Sequence, residues 1–207
     1  MIYKNYLKRI IDIVLFFPSF LLLILPLIFI SVVLLFSQGR PVIYKGIRAG
    51  KNNVPFDIYK FRTMNINQEK QGGDTTAYND PRVTFTGKIL RKYKLDELPQ
   101  IFNIFKGEMS FVGPRPELLH YTNQYTVNEM NILSVKPGMT DLSSILFNSL
   151  DKIAGENNAD LNFETKILPV KNKLRMEYVE NISLKNDLKI LLKTLIIILK
   201  KLLHVNK

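Results

Sequence analysis

The chain has 207 residues, enough for one medium-sized globular unit with a real core plus an appendage. Its 29 lysines and arginines against 18 acids leave a net charge of +11, which points to anionic partners: phosphates, nucleic acid or the surface of an acidic bilayer. There is no cysteine, which excludes disulfides and thiolate chemistry, and the two histidines, His120 and His204, are too few and too far apart in sequence for a histidine metal centre.

A short basic lead with Lys4, Lys8 and Arg9 precedes a run from Ile13 to Phe36 that is apolar except for Ser19 and Ser31. As a straight helix this run would reach roughly 36 Å, more than the roughly 30 Å hydrocarbon core of a bilayer. It is too long for a signal-peptide core, and no small-residue cleavage site follows it. Pro18 and Pro26 interrupt it, and both flanks are basic, with Arg40, Lys45, Arg48 and Lys51 on the far side. That symmetry fits a bent, re-entrant helix with both flanks on the cytoplasmic side; an ordinary kinked span is the alternative.

Beyond Gly39 and Pro41, Val42–Tyr44 and Phe56–Arg62 read as extended segments joined by a turn at Gly50–Asn53. Alternation puts Lys60 and Arg62 on one side and Tyr59 and Phe61 on the other. The polar run from Asn65 to Asn79 reads as a loop. A short basic helix from Gly87 to Tyr93 follows, then an acidic helix, a helix from Leu118 to Met130, a turn at Lys136–Thr140, and a mostly helical stretch from Asp160 to Val179 despite Pro169. Leu184 to Val205 mixes lysines with leucine and isoleucine, as an interfacial helix or one docked on the core would.

The acidic helix is the centre of the chain. Leu98, Ile101, Phe102 and Phe105 recur at helical spacing, Pro99 fits a first turn, and Gly107 is a stop signal. Asp96, Gln100 and Asn103 then share a polar face opposite the apolar one. The positive end of the helix dipole would favour an ionised Asp96, as a nucleophile requires. Asp96 and Glu97 also read simply as a cap and a first-turn acid. The surrounding Arg82, Lys88, Arg91, Lys92 and Lys94, with Arg115 fixed between Pro114 and Pro116, exceed what a capping turn needs.

Tyr59–Met64, Asp80–Thr84, Leu95–Gln100 and Gly107–Pro116 resemble, in order, the motifs of the bacterial sugar transferase family, the monotopic phosphoglycosyl transferases that start glycan assembly on a polyprenyl phosphate. The likeness continues through Lys136–Thr140, Tyr178–Ser183 and Asp187–Ile190. It implies that Asp96 attacks the β-phosphate of a UDP-sugar, releasing UMP, and that polyprenyl (undecaprenyl) phosphate then takes the phosphosugar from the enzyme. It implies Glu97 as the Mg²⁺ ligand, and Lys60, Arg62, Arg82, Arg91, Pro114, Arg115 and Pro116 as the substrate-binding set. It also favours re-entry, by a helix broken at a Ser-Pro pair. Here the chain departs: Pro26 follows Leu25, and Pro18 precedes Ser19. A second departure is Asp141-Leu142-Ser143-Ser144, where many relatives read Gly-Trp-Ala-Gln, so no sugar is copied from a relative.

The expected architecture is a mixed, helix-rich α/β enzyme. A re-entrant membrane helix covers 1–39, a small cytoplasmic catalytic domain 40–183, and an amphipathic interfacial helix 184–207. The expected setting is the cytoplasmic face of the bacterial inner membrane, in contact with membrane lipid, with downstream glycosyltransferases as further partners and no nucleic acid. The competing reading is a catalytically inactive scaffold or anionic-lipid-binding subunit of a glycan assembly complex, which would not need the acid pair.

Overall fold

The computed structural model describes residues 3–66, 74–77, 79–147 and 158–203. Most of the expected loop between Asn65 and Asn79, and the end of the chain with His204 and Val205, lie outside the described residues. A long helix α1 (Lys8–Gln38) leads into an antiparallel hairpin of β1 (Ile43–Ala49) and β2 (Pro55–Phe61), with Tyr44 opposite Lys60 and Arg48 opposite Phe56. The hairpin turn carries Asn52 and Asn53 at positive φ, a conformation asparagine tolerates. Helix α2 (Phe85–Lys92), a 3-10 segment (Leu95–Gln100) and α3 (Ile101–Lys106) follow.

Strand β3 (Ser110–Val112) pairs in parallel with β4 (Gly138–Thr140). The two backbones approach so closely that a Cβ on Gly138 would lie 2.1 Å from the Gly113 nitrogen, which leaves no room for any other residue. The helix expected from Leu118 to Met130 is instead a single turn, α4 (Leu119–Thr122), and a 3-10 segment (Glu129–Ser134). Helices α5 (Leu142–Leu146), α6 (Ala159–Asn162), α7 (Leu168–Glu180) and α8 (Leu184–Leu202) complete the described chain, with Pro169 accommodated in the first turn of α7.

Helix α1 is long and apolar enough to cross a membrane, with a mean hydropathy of 3.0 over an 18-residue stretch, and it continues through both prolines. One stripe of it, Phe16, Leu27, Ile30 and Leu34, joins Phe61, Leu90 and Ile101 in the main core. The opposite side, including Leu21, Leu22, Leu25 and Phe29, is exposed. Polar contacts hold both ends of α1 to the rest of the chain. Near the start, Arg9 donates to the carbonyls of Ile104 (2.6 Å) and Phe105 (2.9 Å) in the last turn of α3. Asp12 accepts from Ser110 Oγ (2.9 Å) and the Phe111 amide (3.1 Å), and Lys8 pairs with Asp187 of α8. At the other end, the Gln38 amide donates to Thr84 Oγ1 (3.0 Å) and Thr86 Oγ1 (2.6 Å) at the start of α2.

Helix α8 buries Ile190 against Val112 and Tyr178 but exposes Leu188, Leu192, Leu195 and Leu199. Their spacing of four, three and four makes one apolar stripe turned away from the core, beside exposed lysines. Docking on the core and an outward apolar face therefore coexist on one helix.

Beneath the loop after β3, α7 supplies a buried charge cluster. Glu117 Oε1 accepts from Lys171 Nζ (2.6 Å) and Arg175 Nη2 (2.7 Å), and Arg175 Nε lies 3.6 Å from Asp141 Oδ2. Burial disfavours charge on Glu117, but Lys171 and Arg175 outweigh it and hold the carboxyl at about 2. Glu117→Gln should therefore destabilise the protein by roughly 3–5 kcal/mol, because it leaves buried Lys171 without a carboxylate and Arg175 with Asp141 alone. The folded carboxyl titrates below its unfolded value, so its stabilisation is complete above about pH 5 and is lost as pH falls towards 2. Thermal midpoints of detergent-solubilised protein across that window should fall steeply in wild type and more shallowly in Glu117→Gln.

Candidate active site

Three segments converge on one carboxylate oxygen. Glu97, in the 3-10 segment, accepts at Oε1 from Lys60 Nζ of β2 (3.0 Å) and from Arg115 Nη2 of the loop after β3 (2.6 Å). Lys60 is thus a partner of the acid pair and not a solvated edge charge. Asp96 sits alongside, 7% exposed, and its Oδ1 is buried without a hydrogen-bond partner. Lys94 turns the chain into this segment with φ 60°.

The polar face expected for Asp96, Gln100 and Asn103 exists, but it points into the molecule: Gln100 and Asn103 are fully buried, whereas Phe102 and Phe105 are exposed. Asn103 uses its whole amide. It accepts from the Tyr59 amide (3.0 Å) and donates to Asp57 O and Glu108 Oε2 (both 2.7 Å), clamping α3 to β2. Gln100 Oε1 accepts from Arg115 Nη1 at 3.3 Å. Gly107 ends α3 with φ 82°, the left-handed stop its position requires.

Arg115 is held from every side. Its side chain reaches Glu97, Gln100 and the Met139 carbonyl, and its amide donates to Asp141 Oδ2 (3.1 Å). Asp141 also caps α5, accepting from the Ser144 amide (2.6 Å) and from the hydroxyls of Ser143 and Ser144. Pro114 presents its carbonyl to the Gly138 amide (2.9 Å), so Pro114 and Pro116 flank an arginine whose backbone is tied to β4 and α5. Asp141 and Glu117 were not singled out in the sequence; the departure at Asp141–Ser144 was the one available signal.

Of the other expected binding residues, Arg91 donates to Thr63 Oγ1 (2.9 Å) and Thr76 Oγ1 (2.8 Å), close enough for its charge to act on Asp96. Arg82 forms a fork with Asp80, the closest contact 2.7 Å. Arg62 is buried at the end of α1, where its guanidinium donates to the carbonyls of Gln38 and Gly39. The geometry thus gathers Asp96, Glu97, Lys60, Arg115 and the charge of Arg91, and places Arg62 and Arg82 in contacts of their own. Arg62 follows the last residue of β2, so strand alternation does not carry its side chain to the pair.

Electrostatics separate the two acids. Burial and the charge of Glu97 push the Asp96 carboxyl upwards, against Lys60, Arg91 and Lys94. Burial also acts against Glu97, but Arg115 and Lys60 hold its carboxyl well below the usual range. The helix-dipole expectation for Asp96 therefore omits the larger influences, desolvation and a like charge next door. Among the described residues no group of three or more potential metal-ligating acids or histidines exists. A hard cation held by one or two carboxylates together with substrate phosphates fits such a site, since Asp96 Oδ1 is unpartnered and Glu97 keeps lone-pair capacity.

A family model described as bacterial sugar transferase matches residues 3–201. An uncharacterized sugar transferase of Bacillus subtilis is 37% identical over 168 residues, covering 78% of this chain and 75% of the relative. The undecaprenyl-phosphate galactose phosphotransferase of Salmonella typhimurium is 35% identical over 215 residues, covering 96% of this chain but 41% of that protein. A putative undecaprenyl-phosphate N-acetylgalactosaminyl 1-phosphate transferase of Bacillus subtilis is 42% identical over 120 residues, covering 58% of this chain and 66% of the relative. Some relatives are thus far longer, and the chain spans about a third of a sugar transferase from Haemophilus influenzae. With motifs in order over nearly its whole length and a buried acid pair whose Glu97 is gripped by Lys60 and Arg115, the chain belongs to the bacterial sugar transferase family.

Proposed function

We propose that the chain moves a phosphosugar from a UDP-sugar to polyprenyl phosphate, an early membrane step of surface polysaccharide or glycoconjugate assembly. The observation that carries this reading is the buried Asp96 with an unpartnered oxygen beside Glu97, Lys60 and Arg115. In the first step the Asp96 carboxylate forms a bond to the β-phosphorus, the bridging P–O bond to the α-phosphate breaks, and UMP leaves. In the second, an oxygen of polyprenyl phosphate attacks the same phosphorus and Asp96 departs as carboxylate. Lys60 and Arg115 neutralise the diphosphate oxygens, Arg115 in an orientation set by Gln100 and Asp141. Glu97 would hold Mg²⁺, which supplies further charge neutralisation to the diphosphate. An anionic-lipid scaffold would have no use for buried acids here. Names of the relatives, undecaprenyl-phosphate galactose and N-acetylgalactosamine phosphate transferases, support the donor and acceptor classes.

Re-entry of α1 on the cytoplasmic face completes the proposal. It is supported by the polar contacts of Arg9 and Asp12 at one end of the helix and of Gln38 at the other, since a domain on one side of a bilayer reaches both ends only if both lie on that side. The outward apolar residues of α1 and α8 supply the surface for such seating.

Asp96→Asn should abolish UMP release from a panel of UDP-sugars while membrane insertion persists, and chelation of Mg²⁺ should silence wild type; turnover surviving in either case places the chemistry elsewhere. Because Asp96 must be ionised to attack and its pKa in the ligand-free protein is raised, the acid limb of kcat/KM should lie above the ordinary aspartate range, with activity rising as pH rises through it. The chain has no cysteine, so Lys4→Cys and Lys45→Cys each give one label site. Both should react with an impermeant thiol reagent from the cytoplasmic side; reaction from opposite sides would mean a full crossing.

A further inference from the structure

The end of α1 opens into a cleft of about 680 Å³ whose lining includes none of Asp96, Glu97, Lys60 or Arg115. Arg62 stands in its wall, 3% exposed. One guanidinium nitrogen, Nη2, donates to Gln38 O and Gly39 O, but Nε and Nη1 are buried without partners. A buried cation with unmet donors is unfavourable unless an acceptor arrives.

The facing wall is the start of α2, whose eight residues are capped by Thr84, with its Oγ1 accepting from the Gly87 amide. In such a first turn the amides of Phe85 and Thr86 have no intrahelical acceptor and point towards an anion's place. Gln38 adds a buried acceptor, Oε1, without a partner, which a protonated phosphate oxygen satisfies. Among the described residues no acidic side chain lines the cleft. Its lip is apolar: Phe85 and Ile66 are both exposed. A free oxyanion has no use for such a lip, whereas an amphiphile has.

We propose that this cleft takes the phosphate headgroup of a membrane lipid, between Arg62 and the first turn of α2, with the hydrocarbon chain leaving past Phe85 and Ile66. The site stands apart from the acid pair, so it does not depend on the transfer reaction above.

The chain contains no tryptophan, so Phe85→Trp places a single reporter at the lip. The full chain carrying it, in nanodiscs of neutral phosphatidylcholine, is titrated with dodecyl phosphate, with phosphatidylglycerol and with inorganic phosphate. A saturable change in tryptophan emission is expected with one or both lipids, with inorganic phosphate weaker by roughly tenfold or more. A tighter response to the monoester dodecyl phosphate assigns a lipid monophosphate, and one to phosphatidylglycerol assigns the bilayer itself; either supports the site. Arg62→Gln should weaken the response by roughly tenfold or more. Thr86→Glu, which puts an acid where a helix first turn favours it and so preserves folding, should do the same. Equal response to inorganic phosphate, no response to either lipid, or unchanged half-saturation in folded Thr86→Glu would overturn the proposal.

Discussion

The sharing of Glu97 Oε1 by Lys60 and Arg115 is the interaction on which the site depends. It joins a hairpin strand, a 3-10 segment and a loop that are distant in sequence, and it does so where burial magnifies the consequence of leaving any charge alone. Much of the neighbouring structure keeps those partners in register. Asn103 clamps the acidic segment to the strand that bears Lys60, and Asp141 fixes the backbone of Arg115. The close passage of Gly113 and Gly138 brings the arginine's loop within reach.

Charge is layered behind this centre. Arg115 faces Glu97 on one side, while Asp141 behind its backbone answers to Arg175, which in turn shares Glu117 with Lys171. In this layer Arg115, Arg175 and Lys171 each have a carboxylate, and Glu97, Asp141 and Glu117 each have more than one donor. An arrangement of this kind resists small displacements of the loop, because moving one member uncovers another. In the proposed reaction such stiffness would serve Arg115, since positioning is a large part of what a phosphate-binding arginine contributes.

Local pattern in the sequence was enough to recognise the acid pair, the polar face of Gln100 and Asn103, the hairpin and the rigid Pro-Arg-Pro turn. It was insufficient where function depends on distant partners. Nothing adjacent to Asp12 or Glu117 marks them as buried anchors; their partners are 98 and 54 residues away. The span from Leu118 to Met130 has helix-compatible residues, yet tertiary packing keeps only one turn of it. Alternation misplaced Arg62 because the strand ends one residue earlier, at Phe61. Apolar spacing in the acidic helix did not give direction: Ile101 is fully buried while Phe102 and Phe105 are exposed, since outward apolar side chains can follow the same periodicity as inward ones.

Asp12 gives α1 a property that a purely apolar helix lacks. Its carboxylate is bonded to Ser110 and Phe111, only a few residues before Arg115, and Arg9 one turn away grips the end of α3. The helix is therefore bolted to the catalytic half at a fixed point along its own axis and has little freedom to slide. A bilayer that becomes thinner or thicker must then raise, lower or tilt the whole unit together. With α1 seated in a bilayer as proposed above, the bilayer's thickness would thus set how high the acid pair stands above the lipid headgroups.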